Sequence, residues 1–299
     1  MLTLKNYQKR AVQDFEKYLD NIDLMSVAPV PHEAAFLLMH LVGGYDNALN
    51  VPFVCIKIAT GGGKTIVACH ILNSIYSKNL ISKNDKGLVL WLVPTDIIKT
   101  QTLEALKDPN HDYRKVLDSK FSNNVKIFNF KEILTLSKPD LQNNLCILVT
   151  TVASFRTQNK EKRKAWKSNG SLKEHFKKKD PTVELIENED KQTNHLFNAI
   201  RLSKPVIVID EGHNTKTILS HQMFKDLNPS FVVEYTATPR RDRILPSNVL
   251  VDVKGDELKA EHMVKLPINL INITKWQETI RYGVDKRKTL SKDALKIKS

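Results

Sequence analysis

The run Ala59-Thr60-Gly61-Gly62-Gly63-Lys64-Thr65 restricts the fold of this chain more than any other feature. An apolar, β-prone segment at residues 53–58 leads straight into it, and residues 66–76 follow with a helical pattern. Glycines between a strand and a helix let backbone N–H groups turn toward an anion. The helix amino terminus adds partial positive charge, Lys64 a full one, and the Thr65 hydroxyl is a ligand for Mg2+. The strand, loop and helix together predict a doubly wound sheet that binds ligands at the carboxyl ends of its strands. One departure is present: the loose pattern G-x-x-x-x-G-K-T wants glycine where Ile58 stands.

Such a loop needs an acidic partner on another strand. Val206-Ile207-Val208-Ile209 followed by Asp210-Glu211-Gly212-His213 supplies it. A carboxylate at that strand end faces a metal held beside the loop, so Asp210 is read as the second Mg2+ ligand with Thr65. Glu211 is read as the group that orients and deprotonates an attacking water. Lys64, Asp210 and Glu211 form the candidate catalytic set.

Further short apolar runs stand at residues 88–93, 125–130, 146–149 and 231–235, mostly separated by helical patterns. Strands that are apolar throughout are expected where both faces of a sheet are covered. The predicted class is therefore α/β, a mainly parallel sheet flanked by helices in three layers. Helices are also predicted over residues 5–19, where Tyr7, Ala11, Phe15 and Leu19 fall near one face, and over 32–41. The main domain is expected to fill residues 1–250. Residues 156–200, dense in charge, are expected to form a solvated insertion, with nucleic-acid contact as the alternative, and 251–299 a connector and the start of a missing second domain.

A net charge of +13 over 299 residues suits a polyanionic partner, because lysines and arginines set against phosphates release counterions. Cys55, Cys69 and Cys146 lie far apart with no CxxC, which predicts reduced core residues. No run approaches the roughly 18 to 20 apolar residues of a membrane span, and residues 1–10 lack a signal-peptide core. A cytoplasmic protein without membrane contact is expected.

In order and spacing, Ala59 to Thr65, Asp210-Glu211-Gly212-His213 and Thr236-Ala237-Thr238 resemble motifs I, II and III of superfamily 2 helicases, the DEAD/DEAH-like group. Helicase loops of this kind often lack the glycine missing at Ile58. Within the superfamily the chain most resembles the Res subunits of type III restriction enzymes. That likeness rests on Lys57-Ile58 before the loop, Leu90-Trp91-Leu92-Val93-Pro94-Thr95 with Gln101-Thr102, and Glu257-Leu258-Lys259-Ala260-Glu261 ahead of Lys265-Leu266-Pro267-Ile268.

The resemblance implies a RecA-like P-loop domain that takes ATP and Mg2+ and hydrolyses ATP to drive movement on nucleic acid, DNA in the Res case. It assigns Thr60, Gly61, Gly62, Gly63, Lys64 and Thr65 to the phosphates, and Tyr7 and Gln8 to the adenine, with Gln8 on its hydrogen-bonding edge. Pro94, Thr95 and Gln101, with Thr150 and Thr151, would hold successive phosphates of one strand without reading bases. Thr95 is equally readable as a helix N-cap and Thr150 as a β-branched strand end. Thr236 and Thr238, with His213, would couple the γ-phosphate to strand grip.

The family pattern continues on a second RecA-like domain that carries an arginine finger. Its motifs are not found after Pro239, so the chain is expected to be the first half of a motor, binding ATP but turning it over slowly, since a missing finger costs about 10³ to 10⁵ in rate. A Res subunit also implies an endonuclease domain in the full-length enzyme and a methyltransferase partner that chooses the sequence. Here Glu257-Leu258-Lys259 offers an E-x-K, but no acidic mate accompanies it. The residues themselves leave open an RNA helicase and a nucleic-acid-binding module that does not translocate. A GTPase wants N-K-x-D, and Asn159-Lys160-Glu161-Lys162 lacks the aspartate.

Overall fold

Every residue of Leu88–Val93 is buried, on whichever face of the sheet it points. Val89, Trp91 and Val93 join one core and Leu88, Leu90 and Leu92 another, so this strand lies between two helical layers. The computed structural model describes residues 3–39, 44–78, 87–155, 164–177, 180–211, 218–240, 246–263 and 276–297. Among them, seven strands form one sheet: β1 (Phe53–Lys57), β2 (Leu88–Val93), β3 (Val125–Phe128), β4 (Leu145–Thr151), β5 (Val206–Asp210), β6 (Phe231–Thr236) and β7 (Val249–Asp252). Their order is β3-β4-β2-β5-β6-β1-β7, and every pairing is parallel. This is the α/β class expected, a parallel sheet flanked by helices.

The connections carry α1 (Asn6–Leu24), α2 (Pro31–Met39), α3 (Lys64–Ser77), α4 (Asp96–Lys107), α5 (Asp112–Lys120), α6 (Lys138–Asn143), α7 (Lys173–Phe176), α8 (Leu196–Leu202), α9 (Ile218–Leu227) and α10 (Gly255–Ala260). On one face α1 contributes Tyr7, Ala11, Phe15 and Leu19, and α3 contributes Ile66, Val67, Ile71 and Leu72. The other face is covered by Phe197 and Ile200 of α8 and Phe224 and Leu227 of α9. Fully burying one such aliphatic or aromatic side chain stabilises by about 1.5–3 kcal/mol, so the two layers fix the sheet from both sides. Cys55, Cys69 and Cys146 are buried free thiols, as expected.

Two sequence expectations change. The charged stretch 156–200 is not simply a solvated insertion. Among its described residues Ala165, Trp166 and Leu172 are core, and Trp166 stacks on Phe197 of α8 with ring centroids 4.2 Å apart. Charge dominates its composition, but its spaced apolar residues bury a face against the sheet. At the other end, β7 pairs with the free edge of β1, and α10 folds back on α1. The first compact unit thus runs over Met1–Val264, past the expected boundary at 250. The second, Lys265–Ser299, contains α11 (Trp276–Ile297). Among the described residues no helix is long and apolar enough to cross a membrane.

Candidate nucleotide site

The in-register pairs Lys57↔Thr236 and Asp210↔Tyr235 bring the ends of β1, β6 and β5 to one edge. Beyond β1 the chain turns through Gly61 and Gly63, both at left-handed φ (83° and 79°), and Lys64 opens α3. The loop is tightly enclosed. A Cβ on Gly63 would collide with Gln8 Nε2, and one on Gly62 would lie 2.6 Å from Ile58 Cγ2 and 3.0 Å from Leu258 Cδ2. From α1, the Tyr7 hydroxyl and Gln8 Nε2 both donate to the Gly62 carbonyl, at 2.8 and 3.0 Å.

Leu258 belongs to α10, which Arg10 ties to α1 through a two-pronged pair with Glu257 at 3.0 and 2.9 Å. Glu261 also accepts from the Asn6 N–H. The loop therefore rests between two helices fastened to each other. Sequence reading missed α10 as a support because Leu258 is a lone apolar residue in a charged run. Glu257, half of the E-x-K, is committed to Arg10.

Opposite the loop, Lys64 Nζ is ion-paired with the Glu211 carboxylate, and the Thr60 hydroxyl donates to the same oxygen at 3.4 Å. Glu211 reaches back because its backbone leaves the strand at φ 54°, a left-handed value that a non-glycine residue rarely adopts, while its N–H donates to the Tyr235 carbonyl at 2.8 Å. Among the described residues Asp210 Oδ1 is buried with no hydrogen-bond partner. Burial pushes its carboxyl up to about 6; Lys64 opposes that shift and the Glu211 charge adds to it.

A desolvated carboxylate oxygen of this kind fits a hard divalent cation. Thr65 adds a hydroxyl oxygen, and among the described residues no cluster of three or more His, Cys, Asp or Glu competes for a softer metal. Mg2+ is typically held by one or two protein oxygens together with substrate phosphates, and Asp210 and Thr65 would supply the protein oxygens.

Residues 1–241 match the model of the family ResIII, described as type III restriction enzyme, res subunit. The chain belongs to this family. It is also similar, at low identity, to two solved structures. One is the Sulfolobus solfataricus SWI2/SNF2 ATPase core in complex with dsDNA (16% identity, TM-score 0.37, covering 81% of this chain and 34% of that one). The other is a nuclease-deletion mutant of the Type ISP restriction-modification enzyme LlaGI in complex with a DNA substrate mimic (15% identity, TM-score 0.42, covering 88% of this chain and 21% of that one). The chain thus spans about a third or less of each. No curated protein matches it.

In this ResIII chain several expected contacts take other partners. Gln8 is buried, its Nε2 directed to Gly62 and its Oε1 accepting from the Lys5 N–H at 2.9 Å. Its amide braces the loop and caps α1. Thr150 is wholly buried and donates to Ser154 Oγ at 2.9 Å, so its hydroxyl is not presented to a phosphate; Thr151 shares that serine at 3.2 Å. Thr95 is exposed and caps α4, accepting from the Ile98 N–H at 3.3 Å, with Pro94 half-buried and Gln101 exposed beside it. Thr236 is buried and accepts from the Thr238 N–H at 3.2 Å, leaving Thr238 exposed at the edge. His213 lies outside the described residues.

Proposed function

We propose that this chain binds Mg–ATP between the loop at residues 59–65 and the Asp210-Glu211 pair, and that hydrolysis there drives a DNA translocase. The observation that carries the reading is the convergence of Lys64, Thr65, Asp210 and Glu211 at one strand edge, with a desolvated carboxylate oxygen that has no hydrogen-bond partner among the described residues. Lys64 and the backbone N–H groups after Gly62 bind the phosphates. Thr65 and Asp210 hold Mg2+, which offsets phosphate charge when bound. Glu211 takes the proton of the attacking water, and Lys64 holds its carboxylate in place until then.

Nucleic acid lies along the carboxyl edge, against Pro94, Thr95, Gln101 and Thr151, gripped by its backbone without base reading. The turn at Thr236 and Thr238, with His213, passes the nucleotide state to that edge. Family membership supports a restriction subunit, with sequence choice left to a methyltransferase partner.

The test is ATP turnover by the full-length protein with duplex DNA, single-stranded DNA, RNA or no nucleic acid, beside Lys64→Ala and Glu211→Gln. Duplex DNA should stimulate the wild type and neither variant. Turnover indifferent to every nucleic acid, or Glu211→Gln at the wild-type rate, overturns the motor reading. Stimulation by RNA alone overturns the assignment to DNA.

A further inference from the structure

We infer that a lysine-rich shelf formed by residues 131–140 and 164–177 is a second nucleic-acid contact, holding the DNA backbone beyond the end of β4. The assignment rests on the DNA-motor reading above and deepens it.

The shelf begins at the carboxyl edge of the sheet. Residues 129–140 follow the end of β3, and residues 152–155 follow Thr151 at the end of β4. Phe130 packs against Phe155 with ring centroids 6.1 Å apart, which joins the two departures. The chain then returns at 164–177 and docks on the first segment. Asn169 Nδ2 donates to the Leu134 carbonyl at 2.7 Å, and His175 Nε2 donates to the Leu136 carbonyl at 2.8 Å. Ile133, Leu136, Trp166 and Leu172 are buried in one core beneath. The shelf is thus a folded surface continuous with the edge at Thr151.

Its charge is one-sided. The two segments carry three carboxylates, and each is already neutralised: Glu132 by Lys107 of α4, Asp140 by Lys126 of β3 and Glu174 by Lys177. Lys131, Lys138, Lys167 and Lys173 have no acidic partner among the described residues, and all but the half-buried Lys138 are exposed. None of the four stands more than three positions from a residue of the two hydrogen bonds that join the segments, so those bonds gather them. Like charges held together on a packed base repel one another, and a polyanion relieves that repulsion while its counterions are released. Lysines set against phosphates add grip without base reading, in keeping with the edge at Thr151.

The experiment measures the affinity of the full-length protein for a short duplex DNA of arbitrary sequence by fluorescence anisotropy over a series of salt concentrations. The shelf variant combines Lys131→Gln, Lys138→Gln, Lys167→Gln and Lys173→Gln. A control removes the same charge from exposed lysines of α1 and α5, in the layer on the opposite face, through Lys9→Gln, Lys17→Gln, Lys115→Gln and Lys120→Gln. Each phosphate contact contributes about 0.9 to the slope of log affinity against log salt. The shelf variant should lose about 2 or more of that slope and bind about tenfold or more weakly, and each single change should lower the slope by up to about one. Melting temperature and ATP affinity without DNA should stay at wild-type values, and the control should keep the wild-type slope. A wild-type slope in the shelf variant overturns the inference, and so does an equal loss in the control, which marks net charge alone. If the wild type itself binds no duplex, it is the DNA-motor reading that fails.

Discussion

The ammonium of Lys64 and the carboxylate of Glu211 are paired although 147 positions separate them in sequence. The lysine that meets phosphate and the glutamate that acts on water thus neutralise each other, in a place where both are largely shielded from solvent. On the proposed function, phosphates take Lys64 away from Glu211 and leave the glutamate basic as the substrate arrives.

Removing the lysine leaves Asp210 and Glu211 as neighbouring carboxylates without its charge. Lys64→Ala should destabilise the nucleotide-free protein by about 1–3 kcal/mol, less than a fully buried pair because Glu211 keeps some solvent. Lys64→Ala with Glu211→Gln should recover part of it. Urea unfolding of the three variants measures this, and a Lys64→Ala protein as stable as wild type contradicts it.

Gly63→Ala puts a methyl group at a left-handed φ, in collision with Gln8 Nε2. The backbone strain alone costs about 1–2 kcal/mol, and Gln8 must leave Gly62. ATP affinity should fall about tenfold or more and the melting temperature should drop. Gly61 has open space around its Cα, so Gly61→Ala carries the strain without the collision and should be milder.

The brace behind the loop divides into a weak part and a strong one. Arg10 and Glu257 keep 40% and 32% of their side chains exposed, so breaking their pair should cost only about 0.5–1 kcal/mol. Leu258 is buried, and Leu258→Ala should cost about 2–4 kcal/mol and loosen the loop. Denaturant melts rank the two, and a larger loss for Arg10→Ala than for Leu258→Ala contradicts the packing account.

Burial lowers the pKa of His32, His70 and His175 below the ordinary histidine range, and the flanking charges and hydrogen bonds do not restore it. Each is therefore neutral in the folded chain while the unfolded chain takes a proton near about pH 6.5. Their contribution is complete above that value and is lost as pH falls through the lowered folded values. Asp210 acts in the opposite sense, losing its contribution as pH rises toward about 6. Thermal melts at about pH 7.5 and 5.5 should show a smaller acid-induced drop when His32→Gln, His70→Gln and His175→Gln are combined. An unchanged slope contradicts the assignment.

Much of this molecule is legible in its sequence because its chemistry is local. A strand, a glycine loop and Lys64-Thr65 are contiguous, and Leu88–Val93 reads as a doubly buried strand from its six apolar letters. What was not legible depends on distant partners. Val249–Asp252 is short and stands before a charged run, so only the open edge of β1 makes it a strand. Composition hid Trp166, which the stacking on Phe197 explains. Gln8 carries the right letter for a base contact, but its amide is held by Gly62 and Lys5.

The central claim is that Lys64 anchors a nucleotide at this strand edge. Calorimetric titration of ATP with Mg2+ onto wild type and Lys64→Ala tests it most directly, because losing one charge-assisted contact of about 1.5–3 kcal/mol weakens binding by roughly tenfold or more. One ATP site is expected in the wild type and at least that loss in the variant; equal binding by the two proteins would contradict the role of Lys64.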